Sequence, residues 1–204
     1  MARSEDFIAE ICREFPRFCI IRKRDSLLSR LIDVMLKVLT LGAQREFMTR
    51  YHTVLWDRLY VPELWEHTPD VARLITLRHE RIHLRQRRRY GDLAMTFLYL
   101  IPFFPLGLAY GRARIEWEAY TETIRATAEY RGLAAARSPD LRRHILKQFT
   151  SGAYGWMWPF PSVLNRWYDE ALRHIEAEPP HPPICLVSGW ASAKSNAAFT
   201  SYIS

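Results

Sequence analysis

The stretch that decides the fold is DVARLITLRHERIHLRQRRRY, residues 70–90, which lies between Thr68-Pro69 and Gly91. Its apolar residues recur at helical spacing, so it predicts an amphipathic helix. Thr68 offers a capping hydroxyl, Pro69 suits the first helical position and Asp70 adds an acid to the first turn. Gly91 is placed to end the helix. One long helix is therefore expected between Pro69 and Gly91.

This helix contains His79-Glu80-Arg81-Ile82-His83, an HExxH sequence. Residues four apart project from one face of a helix, so the imidazoles of His79 and His83 can reach one metal ion. Glu80 then lies beside the ion without binding it, where a carboxylate can take a proton from an activated water and pass it to a leaving amine. The motif predicts a Zn²⁺ site with Glu80 as the general base of peptide hydrolysis.

Strand signals precede this helix. Thr49 to Leu55 and Arg58 to Val61 are rich in β-branched and aromatic residues around a polar break at Asp57, which predicts a two-stranded hairpin closed by Pro62.

Further helices are predicted on both sides of this region. Ser4 to Phe15 could form a short helix, and Ser26 to Leu39 a longer one, capped by Ser26 with Arg30, Asp33 and Lys37 on its polar side. Helical patterning also covers Arg112 to Tyr130, Pro139 to Thr150 after a Ser138 cap, and Ser162 to Glu178.

No charged residue occurs from Leu93 to Gly111, and this length approaches the roughly 20 residues that a membrane helix needs. Pro102 and Pro105 divide the segment into two short halves. A buried hairpin, a re-entrant membrane segment and a single membrane span are the three interpretations. A single span would separate His83 from any metal ligand beyond it, so a hairpin is favoured.

The chain resembles the gluzincin branch of the zincin metallopeptidases over roughly residues 47 to 130. In that family the HExxH helix is followed by a helix that supplies a Glu ligand, often within a Glu-x-x-Ala-Asp pattern. The corresponding stretch here is Glu116-Trp117-Glu118-Ala119-Tyr120, where Tyr120 replaces the usual Asp. The resemblance implies that an edge strand beside the cleft pairs with a peptide substrate, and Thr49 to Leu55 is the candidate strand.

Two carboxylates compete for the third ligand position, because Glu116 and Glu118 point about 200° apart on a helix. Glu118 shares its side with Arg114, Glu122 and Arg125, whereas Glu116 shares its side with small or amphipathic residues suited to packing. Glu116 is therefore preferred as the third ligand, with Glu118 as the alternative.

Tyr154 is a further candidate for the site, as a hydrogen-bond donor to the oxyanion of a tetrahedral intermediate. The plainer interpretation is a tyrosine at the edge of the core.

These features predict a predominantly helical α+β, zincin-like fold of the minimal gluzincin type. We expect a helical extension over residues 1–45, a metallopeptidase domain over 46–178, and a loose tail over 179–204 that opens with EPPHPP.

Composition limits the partners and the location. The net charge of +7 and the pI near 9.5 suit an anionic partner, and much of that charge lies in the arginine run from Arg85 to Arg89. Besides a peptide substrate, an anionic membrane surface is a candidate partner, and a solvated helix end is an equally good interpretation of the arginines. A nucleic acid is disfavoured because no nucleic-acid-binding motif accompanies the charge. Three widely spaced cysteines and the absence of a secretory signal favour the cytoplasm, with the inner membrane face as an alternative.

Two other functions compete with a zinc metallopeptidase that uses His79, His83, Glu116 and Glu80. One is a non-catalytic zinc-binding module. The other is a basic adaptor that binds membranes or nucleic acid through Arg85 to Arg89.

Overall fold

The computed structural model describes residues 3–39, 48–49, 52–100, 108–151 and 157–178. These ranges form a predominantly helical α+β fold, as predicted. In chain order the elements are α1 (Ser4–Glu14), β1 (Cys19–Arg22), α2 (Leu27–Leu39), β2 (Thr53–Leu55), β3 (Arg58–Val61), α3 (Asp70–Tyr90), α4 (Asp92–Leu100), α5 (Leu108–Arg131), α6 (Leu133–Ala136), α7 (Pro139–Thr150) and α8 (Pro161–Ala177). Short 3₁₀ turns follow β1 at Lys23–Asp25 and β3 at Glu63–His67.

The predicted hairpin is present as β2 and β3, which are antiparallel with Leu55 opposite Arg58. The strand β2 begins at Thr53, later than the predicted start at Thr49. Trp56 begins the two-residue turn with φ of 52°, a left-handed conformation that a bulky residue rarely adopts. The turn therefore holds a strained residue where such hairpins usually have glycine.

A third strand comes from the N-terminal segment. β1 pairs in parallel with β3, from Cys19 opposite Arg58 to Arg22 opposite Val61, which gives the order β1-β3-β2. The segment predicted as an extension thus contributes to a shared apolar core, whose buried members include Ile11, Phe15, Phe18, Leu59, Val61, Trp65, Leu77 and Leu84.

Polar contacts fix α1 alongside α3. The Asp70 carboxylate at the start of α3 accepts hydrogen bonds from the backbone N–H and the hydroxyl of Ser4. At the other end, Glu14 accepts from Arg81 and Arg85, each at 2.7 Å. The two helices therefore run parallel. The predicted cap of α3 by Thr68 does not form. The Thr68 hydroxyl instead donates to the carbonyl of Leu64.

The orientation of α2 differs from the predicted one. Ser29 and Asp33 are buried, whereas Leu27, Leu31 and Val34 are exposed. Ser26 does cap the helix, since its hydroxyl accepts from the backbone N–H of Ser29 at 3.2 Å. Asp33 faces inward because it interacts with the buried ammonium of Lys23.

A second apolar core lies where α5 packs against the helices that follow it. Its buried members include Ala113, Trp117, Ile124, Ile145, Phe149, Leu164, Tyr168 and Leu172. The Tyr168 hydroxyl donates to the carbonyl of Ala136 at 2.7 Å, which ties α8 to the short helix α6. This core supports one side of α5, while the opposite side meets α3.

The uncharged segment contains α4 and the start of α5, and α4 contacts both α3 and α5. The predicted turn from Pro102 to Pro105 lies outside the described residues. Among the helices described, none is both long and apolar enough to cross a bilayer.

Candidate metal centre

Three predicted ligands converge at the contact between α3 and α5. The Nε2 atoms of His79 and His83 are 3.2 Å apart, and the Nε2 atom of His83 is 3.6 Å from Oε2 of Glu116. The ligand atoms of all three residues lie within 4.8 Å of one another. His83 and Glu116 are buried, whereas His79 keeps a partly exposed edge.

Two of the three separations, those from His83 to His79 and to Glu116, are close to those of atoms that share one zinc ion. Ligands bound at about 2.0–2.1 Å with tetrahedral angles are about 3.4 Å from each other. The observed 3.2 Å and 3.6 Å lie on either side of that value. The ligand set, two imidazoles and one carboxylate, is also the chemistry that zinc prefers in catalytic sites.

A threonine fixes the ring of His79. Nδ1 of His79 is 2.9 Å from the hydroxyl of Thr123, and that hydroxyl donates to the Ala119 carbonyl at 3.3 Å. Because its own proton is used, Thr123 accepts the hydrogen bond from Nδ1–H of His79. A neutral His79 therefore has its lone pair on Nε2, which points toward the other ligands.

The side chain of Gln86 fixes the ring of His83. The side-chain amide N–H groups of Gln86 donate to the Ile115 carbonyl at 2.9 Å and to Glu118 Oε2 at 2.8 Å. This leaves its amide oxygen to accept from Nδ1 of His83 at 2.9 Å. The Nε2 lone pair of neutral His83 thus faces that of His79.

Two nitrogen lone pairs this close repel each other unless a cation lies between them. A proton or a metal ion can supply that charge, and the Glu116 carboxylate adds an anionic contact to the two neutral nitrogens. Hydrogen bonds that hold metal-binding histidines by their second nitrogen are the usual companions of a zinc site. The residues present therefore fit a Zn²⁺ ion.

The alternative third ligand has a different role. Glu118 accepts a hydrogen bond from Gln86 and does not join the cluster of His79, His83 and Glu116. Tyr120, which stands where the gluzincin pattern has Asp, packs its ring edge-on against His79 with centroids 4.7 Å apart. Thr123 and Gln86 supply the polar contacts to the two histidines instead.

Glu80 lies beside the ligands in a buried environment. Burial raises the pKa of Glu80 to about 7, with Glu116 adding to the rise and the cations of His83 and Lys23 opposing it. A carboxylate with this pKa can both accept and return a proton near neutral pH. This is the behaviour expected of a general base.

A second charged group near Glu80 is the buried ammonium of Lys23. Its side chain is 1% exposed, and burial lowers the pKa of its ammonium to about 7, against the opposing attraction of Glu80 and Asp33. The buried cation partly compensates the buried carboxylates around it.

The pKa values of the two histidines shift in opposite directions. Burial and the nearby His83 lower the pKa of His79. Burial alone would also lower the pKa of His83, but the carboxylate of Glu116 raises it.

The sequence predicted the cluster of His79, His83 and Glu116 but gave no prediction for three residues that contact the cluster or Glu80. Gln86 follows His83 by three positions and Thr123 follows Glu116 by seven, so helical spacing could have indicated both. Lys23 had no such signal, because its position depends on the unpredicted strand β1. Tyr154, the candidate oxyanion donor, lies outside the described residues.

Comparisons with known proteins do not assign the chain to a family. No protein-family model matches the sequence, and neither the curated proteins nor the solved structures gave a significant match. The function must therefore be inferred from the site itself.

Proposed function

We propose that this protein is a zinc-dependent peptidase with a zincin-like arrangement of its metal helix and edge strand. The observation that carries the proposal is the convergence of the His79 and His83 Nε2 atoms with the Glu116 carboxylate, within 4.8 Å of one another. The buried Glu80 carboxylate next to them supplies the base that hydrolysis needs.

Each residue has a distinct task in this proposal. His79, His83 and Glu116 hold the ion, and a bound Zn²⁺ supplies Lewis acidity that polarises a carbonyl and lowers the pKa of water. Glu80 accepts the proton of the attacking water on a carboxylate oxygen and returns it to the leaving amine. In its protonated form, Lys23 places a positive charge near Glu80, which favours the ionised form of that carboxylate.

The strand β2 is the proposed place for the substrate backbone, since it forms one edge of the sheet and contacts α3. Val54 lies opposite Leu59, one position beyond the Leu55–Arg58 pair that closes the tight turn. This is a non-hydrogen-bonded pair of the antiparallel ladder, so the backbone N–H and C=O groups of Val54 point away from β3. The Arg87 guanidinium donates to the Val54 carbonyl at 3.5 Å and also pairs with Asp92. A peptide strand that pairs with this edge binds the Val54 carbonyl in place of Arg87, and Arg87 keeps its ion pair with Asp92.

Zinc content per chain tests the ligand set. Purified wild type should hold about one zinc ion, and H83A and E116A should hold almost none, because each loses a ligand. E118A is the matched control, since its carboxylate contacts Gln86 and should leave the zinc bound. A wild type that takes up no zinc, or an E116A variant that retains it as E118A does, would contradict the proposed site.

Hydrolysis of unstructured peptides tests the activity. E80Q should keep its zinc and lose at least 100-fold in kcat, because the amide cannot accept the proton. If E80Q and wild type are equally active, Glu80 is not the base.

A non-catalytic zinc module is the competing function. Structural zinc sites are usually closed by four protein ligands. Among the residues that the structure describes, the cluster supplies three ligands, which leaves room for a substrate or water. Zinc-loaded wild type without hydrolytic activity on any peptide would support the module.

A further inference from the structure

The arginine run at the end of α3 divides into two functional halves. Arg85 donates to Glu14 at 2.7 Å and Arg87 to Asp92 at 2.6 Å, so their charges stabilise the fold. Arg88 and Arg89 are exposed and form no ion pair with any residue in the described ranges. The guanidinium of Arg89 instead lies 5.2 Å from the ring centroid of its neighbour Tyr90.

Apolar groups are exposed directly beside these free cations. Tyr90, the last residue of α3, is 42% exposed, and Leu93, in the first turn of α4, is 88% exposed. Gly91 joins the two helices with φ of 85° and leaves open space around its Cα. The corner from Arg88 to Leu93 therefore presents two cations, an aromatic ring and an aliphatic side chain to solvent.

We infer that this corner docks on a bilayer surface that contains anionic lipids, where Arg88 and Arg89 contact the headgroups and Leu93 enters the acyl boundary. Unpaired arginines complement anionic headgroups, and Tyr is a residue that favours the membrane–water interface. A nucleic acid would also attract the arginines, but it offers no apolar layer to receive Leu93. The inference does not depend on the proposed enzymatic activity.

Docking at this corner would place the metal centre close to the lipid surface. His83 and Arg88 are five residues apart on one helix, which is about 8 Å along its axis. Segments of substrate that lie near a membrane would thus come within reach of the site.

Vesicle co-sedimentation with the full chain tests the inference. Wild type should bind vesicles of phosphatidylcholine with about one quarter phosphatidylserine and should bind pure phosphatidylcholine far more weakly. Binding should weaken when salt rises from about 0.1 M to 1 M, since the screening length falls from about 10 Å to about 3 Å.

Variants of exposed residues identify the surface. The double variant R88E/R89E should bind anionic vesicles at least about 100-fold more weakly, since each basic residue contributes a sizeable share of the attraction. L93S should weaken binding by about tenfold or more while it leaves the charge unchanged. The double variant R166E/R173E is the matched control, because it makes the same change of charge at exposed positions on α8 and should bind like wild type.

Four outcomes would overturn the inference. Two concern wild type: equal binding to neutral and anionic vesicles, and binding to neither. A third is a loss of binding in the control R166E/R173E as large as that in R88E/R89E, which would assign the effect to net charge. A duplex DNA that wild type binds through Arg88 and Arg89, with no binding to vesicles, would identify a nucleic-acid surface instead.

Discussion

Thr123 and Gln86 hold the rings of His79 and His83 by their Nδ1 atoms. Each acceptor is itself held by a backbone carbonyl, that of Ala119 for Thr123 and that of Ile115 for Gln86. Because both carbonyls belong to α5, the helix that carries Glu116 also orients the histidines of α3. The geometry of the cluster therefore depends on residues outside it.

Replacing Thr123 by Val should lower the affinity for zinc by about 10- to 100-fold, because His79 loses the acceptor that holds its ring. Competition with a chromophoric zinc chelator measures the change. T121V is the matched control, since Thr121 makes the same kind of bond to the carbonyl four residues earlier, at 2.9 Å, and is not a partner of either histidine. An equal loss in both variants would mean that the hydroxyl acts through the helix and not through His79.

Sequence spacing predicted the cluster of His79, His83 and Glu116 better than the residues that contact it. His79 and His83 follow from one rule of helical geometry, and the choice of Glu116 over Glu118 follows from the composition of two helix sides. The bond between His79 and Thr123 depends on how α3 and α5 rotate against each other. A rotation between two helices is a product of packing and leaves no local pattern in either helix.

At the scale of elements, α3 and α5 are held together by a partly buried cation. The Arg78 side chain is 13% exposed and forms ion pairs with Glu122, at 2.6 Å, and with Glu129. Burial alone would lower the pKa of Arg78, but the two carboxylates raise it. This arginine neutralises two acidic residues of α5 at the interface that contains the cluster of His79, His83 and Glu116.

R78M should destabilise the protein by about 1.5–3 kcal/mol, because it removes the charged hydrogen bonds that Glu122 and Glu129 accept, while Glu122 keeps Arg125 at 3.2 Å. R143M is the matched control: Arg143 pairs with Asp140 at 3.2 Å, but both side chains are exposed, so the loss should be at most about 1 kcal/mol. Denaturant unfolding of both variants measures the difference. Similar losses would show that the α3–α5 ion pairs contribute no more than a surface pair.

Local signals predicted most elements, and the exceptions have a common cause. The Ser138 cap before Pro139 forms as predicted, with its hydroxyl accepting from the backbone N–H of Leu141. β1 was missed because CIIR is short and pairs with a strand more than 30 residues later. The orientation of α2 was predicted wrongly because its burial depends on Lys23, which β1 positions. Long-range pairing thus accounts for these two errors, whereas the wrong cap at Thr68 has a local cause, its hydrogen bond to Leu64.

At the scale of the whole molecule, stability should fall in mild acid because of His52. Its Nε2 atom is buried without a hydrogen-bond partner among the described residues, and its ring packs edge-on against Trp65. Burial, with a smaller effect of the Lys23 charge, lowers the pKa of His52 from 6.5 to about 4. Between these values the unfolded chain binds a proton that the folded protein does not.

The free energy of unfolding should therefore decrease as pH falls from about 6.5 to about 4, by up to about 1.4 kcal/mol per pH unit from this group. H52Q should remove that contribution and flatten the profile. Unfolding of both proteins in excess chelator measures the effect, since the comparison cancels the titration of His79 and His83. Parallel profiles for H52Q and wild type would show that His52 titrates normally in the folded state.

The parallel pairing of β1 with β3 sets an order of events during synthesis. The β2–β3 hairpin can close as soon as it leaves the ribosome, whereas the main partners of α1 and β1 among the described residues are α3 and β3, within residues 58–90. Ser4 must wait for Asp70, 66 residues later, an interval of roughly 3–13 seconds at typical translation rates. During that time Ile11, Phe15 and Phe18 have no core to enter, so the nascent chain presents them to any chaperone at the exit tunnel.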